Sequence, residues 1–151
     1  MNTIAIYNRL QKLPFGTTLF SKGICLTAPY FASIKPRVSA LKPGFCQVDM
    51  KKRRSVQNHL KTVHAIAMCN MAELSAGLMT DVSIPKGSRW IPAGMQVQYL
   101  KKAKTNLTAV ADGSAVDWHT QGDVLVPVKV MDTDNVVVFS AEVRMNIKAG
   151  R

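Results

Sequence analysis

The stretch 63–79 constrains this chain most, because its apolar residues fall on every face of a 3.6-residue period. A surface helix shows one apolar stripe, whereas a helix apolar all round must be enclosed by the rest of the fold. The run therefore predicts a buried helix at the centre of the domain. Glu73 lies in the middle of it. An ionised carboxylate inside a core is strongly disfavoured unless it is paired, neutralised or at an opening, so an interior Glu marks a candidate functional site.

Asn58 and His64 add polar groups at the start of the same helix. His64 and Glu73 are nine residues apart, and nine steps of about 100° reach the opposite side of the helix roughly 13 Å further along. The two side chains cannot meet within one subunit. If they act together, the second group comes from another copy of the helix across a two-fold axis. The spacing predicts a homodimer, or a tetramer built as a dimer of dimers, with shared sites.

Around this helix the chain reads as helix 2–13 stopped by Pro14, a short helix 16–24, and a hairpin of strands 34–41 and 45–53 about Lys42-Pro43-Gly44. Pro36 then belongs on an edge strand or at a bulge. Strands 89–104, 107–118, 124–132 and 136–148 follow, the last two joined by Asp132-Thr133-Asp134-Asn135. Helices and antiparallel strands are segregated without βαβ alternation, which is an α+β order.

The spacing of Asn58, His64 and Glu73 resembles that of the hotdog-fold acyl-CoA thioesterases of the phenylacetyl-CoA and 4-hydroxybenzoyl-CoA type. A longer match, through Ala28-Pro29-Tyr30, Asn58-His59, Thr62-Val63-His64-Ala65-Ile66-Ala67, Ala72-Glu73 and Tyr99-Leu100-Lys101-Lys102-Ala103, resembles an uncharacterised bacterial branch of that superfamily. The resemblance implies one hotdog domain over 1–151, a long central helix wrapped by a curled antiparallel sheet, with the helical segment 1–28 packed on it. It implies thioester hydrolysis, with Glu73 as general base or nucleophile and the helix-start amides near Ala65 and Ile66 polarising the carbonyl. Asn58 and His64 orient the substrate, and Asn70, one turn before Glu73, orients its carboxylate. Tyr99 belongs to the pocket wall. The coenzyme A moiety enters as part of the substrate, and no separate cofactor or metal is expected.

Charge is concentrated. Residues 1–61 hold eleven Lys or Arg against Asp49 alone, for +10, while residues 62–151 hold nine against eight acids, for +1; together they make the formal +11. Lys51-Lys52-Arg53-Arg54 is the densest run, with Lys101, Lys102 and Lys104 later. These can steer the phosphates of coenzyme A, form a solvated basic face or meet an anionic lipid. Nucleic acid is disfavoured as a partner, since the clusters lack interleaved aromatics and no nucleic-acid motif accompanies them.

A length of 151 residues and 47% apolar composition fit one globular domain. No apolar stretch reaches the roughly 18 to 20 residues that span a bilayer. Cys25, Cys46 and Cys69 lack the spacing of a zinc site, which favours a reduced, cytoplasmic protein. The acid-free N-terminus resembles a transit peptide, but 10–28 carries apolar positions that a core would use, so it is expected to belong to the folded domain.

Each candidate residue also has a structural reading. Asn58 suits a turn cap, His64 a satisfied donor in the first helical turn, and Glu73 a paired carboxylate. His59 and His119 read as surface or packing residues. Thioesterases of this type commonly carry glycines just after the His and three residues before it; here Ala65, Ile66 and Lys61 hold those places, with Ile66 expected to narrow the approach most. Gly77 stands where some members carry a hydroxyl residue. These departures leave a second function open, a non-catalytic acyl-CoA or lipid-binding hotdog protein.

Overall fold

Alternation of apolar and polar residues is strictest in the strand Gly122–Met131, where Val124, Val126, Val128 and Val130 are buried and the residues between them are exposed. The same period in Phe139, Ala141, Val143, Met145 and Ile147 and in Leu107, Ala109 and Ala111 turns one apolar sheet face towards a helix. A computed structural model describes residues 2–150. Its elements are α1 (Thr3–Leu10), α2 (Gly16–Thr27), a 3-10 helix Pro29–Ile34, β1 (Arg37–Lys42), β2 (Phe45–Met50), a 3-10 turn Arg54–Val56, α3 (Ala65–Ser83), β3 (Arg89–Tyr99), β4 (Leu107–Asp112), β5 (Gly122–Met131) and β6 (Val137–Lys148).

The strands form one antiparallel sheet in the order β1-β2-β4-β5-β6-β3. α3 touches all six. Its 19 residues span about 28 Å and six strands about 24 Å, so a helix reaching every strand must run across them. Pro127 in β5 is compatible with a central strand because β4 has ended: its last pair is Ala111 with Val128, and beyond it Pro127 has no ladder partner on that side.

α3 begins two residues later and ends four residues later than the pattern predicts. Seven consecutive residues, Leu74 to Thr80, are buried, so this half is enclosed all round. Trp90 covers its outer side: a Cβ at Gly77 would stand 2.9 Å from the Trp90 ring, so only glycine admits the indole this close. The Trp90 indole N–H and the Thr3 hydroxyl both donate to the carboxylate of Asp81, at 3.0 and 2.6 Å, tying β3 and α1 to the helix. The first half of α3 corrects the expectation. Ile66 is 53% exposed and Glu73 is exposed, because the chain lays no element of its own over the stripe these two share seven residues apart.

The N-terminal helices fall near their predicted places. A Cβ at Gly16 would land on the Leu10 carbonyl, so glycine lets α2 start against the end of α1. Tyr7 packs edge-on to Phe20 at 5.1 Å, and the Ser21 hydroxyl accepts the Val38 N–H at 2.8 Å, holding α2 along β1. Pro36 lies just outside β1 rather than inside a strand 34–41, since Ile34 closes the 3-10 helix and Pro36 has no N–H to contribute.

Candidate active site

The loop before α3 closes on itself. Gln57 and Val63 form an isolated bridge, and Lys61 turns the chain with φ at 59°. That is the left-handed region, which glycine adopts most readily. The Asn58 carbonyl oxygen accepts the N–H groups of Leu60 and Thr62 at 3.0 and 3.2 Å, and its amide donates to the Thr62 hydroxyl at 2.9 Å. Its polar atoms are thus spent on the loop, the turn-capping alternative for this residue.

His64 is the N-cap of α3 rather than a residue of its first turn. Its N–H donates to Val56 O, and its Nδ1 accepts the Ile66 N–H at 3.0 Å. An acceptor on Nδ1 places the neutral ring's hydrogen on Nε2. Ile66 is thereby lost as an amide donor. Ala67 and Met68 donate back to the His64 carbonyl, so among the described residues Ala65 has the first-turn N–H that remains without an acceptor, at the positive end of the helix dipole.

Two clefts flank this helix start. Asn58, Ala65, Tyr99, Lys101 and Lys102 line one, and Tyr30, Ser33, His64, Ile66 and Asn70 line the other. Ile66 thus lines the cleft on the His64 side and Ala65 lines the other. Asn70, 8% exposed, donates to the Ser33 hydroxyl at 3.1 Å and makes no bond to Glu73, so the expected orienting contact is not formed. Its carbonyl oxygen is buried without a partner among the described residues. Glu73 lines neither cleft and is open on the outward stripe of α3 with Ile66. His64 and Glu73 are not brought together within the chain.

Arg53 is also corrected. Its guanidinium donates to the carbonyls of Ser33 and Ile34 at 2.7 and 3.0 Å, so it fastens the 3-10 helix to the loop before α3. Arg54, Lys51, Lys101, Lys102 and Lys104 are exposed. The Lys52 N–H donates to Asn106 Oδ1 and the Val63 N–H to Ala103 O, which brings the two basic segments side by side.

Sequence reasoning missed Ser33 and Cys69. Nothing marks a 3-10 helix strongly, so Ser33 gave no signal. Burial pushes the Cys69 thiol up, and the nearby Tyr99 phenol acts against it. Tyr99 and Met95 pair with Phe139 and Val143, so they point to the α3 side of the sheet, yet they are 58% and 36% exposed. The open edge of β3 thus carries apolar side chains next to the exposed stripe of α3.

Solved structures share this α+β fold. A thioesterase from Haemophilus influenzae superposes with a TM-score of 0.72 at 11% identity, covering 80% of this chain and 82% of that one. A thioesterase family protein from Silicibacter pomeroyi gives 0.73 at 13%, covering 91% and 100%. At these identities the likeness is one of fold. A protein solved as a genomics target is 48% identical with a TM-score of 0.89 over 98% of this chain and 99% of that one. No curated protein is detectably similar in sequence. The chain belongs to the DUF4442 family, a domain of unknown function, whose model matches residues 16–147.

Proposed function

We propose that this protein is an acyl-CoA thioesterase acting as a homodimer, with the Glu73 carboxylate of one subunit serving as general base or nucleophile at the helix start of the other. The observation that carries the reading is the unpaired Ala65 N–H at the N-terminus of α3, inside a cleft walled by Asn58, Tyr99 and basic residues. An amide at a helix N-terminus stabilises the oxyanion that develops when a thioester carbonyl is attacked. Lys101, Lys102 and Lys104 supply positive charge for the coenzyme A phosphates. Asn58 and His64 act by shaping the loop and the helix cap that present this amide.

Dimerisation fits three features. His64 and Glu73 lie on opposite sides of one helix, the Ile66–Glu73 stripe is exposed, and β3 offers an eleven-residue edge bearing Met95 and Tyr99. The three free cysteines suit a reducing cytoplasm, and no helix among the described residues is long and apolar enough to cross a membrane.

The test is thiol release from a panel of acyl-CoA esters by wild type and Glu73→Gln. An exposed Gln keeps the fold, so turnover should fall at least about a hundredfold, a general-base contribution, while acyl-CoA affinity holds. The non-catalytic reading takes over if both proteins bind acyl-CoA equally and neither releases thiol; Ala65 in place of glycine, which limits approach to the amide, is the feature that favours it.

A further inference from the structure

The outer face of α2 carries apolar side chains where a surface helix carries polar ones. Leu19 and Leu26, seven residues apart, share one face of α2, and Phe15 and Tyr30 stand just beyond its two ends. They are 55%, 83%, 87% and 73% exposed. The opposite side, with Phe20, Ser21 and Ile24, faces the domain. Gly23 lies between Leu19 and Leu26, and nothing stands within 4 Å of where its Cβ would be, so the stripe they form is open along its length. Four side chains of this size expose on the order of 500 Å², as much as the largest apolar patch of a typical monomer, which is often functional. Phe15 also has φ at 57°, a conformation costly for a bulky residue.

Charge identifies the partner. Residues 1–48 contain Arg9, Lys12, Lys22, Lys35, Arg37 and Lys42 and no acid. Lys22 is exposed within the stripe, and Arg9 and Lys12 are exposed where α1 leads towards Phe15. A second copy meeting this face across a two-fold would set Lys22 against its own counterpart with no carboxylate to offset it. Nucleic acid would meet aliphatic Leu19 and Leu26 in place of stacking or hydrogen-bonding groups. α2 packs along β1, the edge of the sheet opposite β3, so pairing through β3 leaves it free.

We propose that the outer face of α2 docks the protein on an anionic lipid surface. Phe15, Leu19 and Leu26 enter the boundary between headgroups and acyl chains, and Arg9, Lys12 and Lys22 meet lipid phosphates, their stems lying along the apolar surface. Tyr30, just beyond the end of α2, lines the cleft beside His64 and Asn70, so docking brings that cleft to the membrane surface. This holds whether or not Glu73 is catalytic.

Co-sedimentation with vesicles tests it. Wild type should pellet with phosphatidylcholine vesicles containing phosphatidylglycerol at low salt, and remain in solution with phosphatidylcholine alone or at high salt. The triple variant Phe15→Ser, Leu19→Ser, Leu26→Ser should lose at least about tenfold in vesicle affinity with an unchanged circular dichroism spectrum. Lys12→Glu with Lys22→Glu, which leaves the apolar residues in place, should weaken binding to the anionic vesicles alike and carries the test if the triple variant misfolds. Wild type that stays in solution with anionic vesicles overturns the proposal, as do variants that pellet like wild type. A triple variant that sediments as a smaller assembly also overturns it, because the face is then a contact between copies.

Discussion

The Nδ1 atom of His64 accepts the backbone N–H of Ile66 at 3.0 Å, so the histidine of the site signature is the cap that starts α3. A side-chain cap is typically worth about 1 kcal/mol. His64→Ala should lower the melting temperature by about 2–4 °C, whereas His64→Asn, which keeps an acceptor at the cap, should stay close to wild type. If His64 also donates to substrate through Nε2, the Asn variant separates the roles, restoring stability without restoring turnover. Thermal denaturation alongside thiol release reads both.

Lys61 holds a left-handed conformation that glycine adopts without a Cβ penalty. Lys61→Gly should therefore raise stability by about 1 kcal/mol, less the entropy a glycine adds to the unfolded chain. Denaturant unfolding measures it. A loss of stability would show that the Lys61 side chain makes a contact worth more than the strain.

Gly77 lies under Trp90, and the two are coupled. Ala favours a helix interior over Gly by about 0.8–1.0 kcal/mol, but here its Cβ meets the ring at 2.9 Å and displaces an indole that donates to Asp81. Overpacking of this kind costs about 1–3 kcal/mol, so Gly77→Ala should be net destabilising in wild type. In a Trp90→Leu background the clash is gone, and the same substitution should become stabilising by helix propensity alone. The double-mutant cycle checks the change of sign.

Burial holds the Cys46 thiol far above its ordinary value of 9.0. Above that pH the unfolded chain releases this proton and the folded chain keeps it, so folding stability falls as pH rises, by about 1.4 kcal/mol per unit. Unfolding curves between pH 8 and 10 should show the decline setting in, at about half that slope at pH 9 and close to all of it by pH 10, and Cys46→Ala should reduce it while costing packing at every pH. Tyr7, raised chiefly by burial from 10.0, adds a further decline at the alkaline end.

Local chemistry was legible in the sequence. The turn read at Lys42-Pro43-Gly44 joins β1 to β2, with Lys42 closing β1 opposite Phe45 and Pro43-Gly44 between the strands, and Asp132 closes the last hairpin by accepting the N–H groups of Asp134 and Val136. The strand 107–118 was read too long because Gly113, which looks like a continuation, ends β4 where the chain turns beneath Trp118. The central helix was legible in kind, but its enclosure was not: periodicity counts apolar side chains and cannot say what lies over them, so Glu73 read as interior although the chain leaves it open. Arg53 failed for a related reason. A cluster of four bases says nothing about which one turns inward to bond carbonyls 19 and 20 residues earlier. The α2 stripe went unread because an apolar helix near a core is ordinarily credited to that core.

The sheet order sets a timetable for the nascent chain. β3 is third to be synthesised, yet among the described residues it pairs with β6 alone, in a ladder running from Arg89–Lys148 to Tyr99–Phe139. Between Tyr99 and Lys148 the ribosome must add 49 residues, which at 5–20 residues per second takes about 2–10 s. Through that interval β3 and the apolar flank of α3 have emerged without the strand that joins them to the rest. Closure of this edge of the sheet therefore waits on β6, and until then β3 has no ladder partner among the described residues.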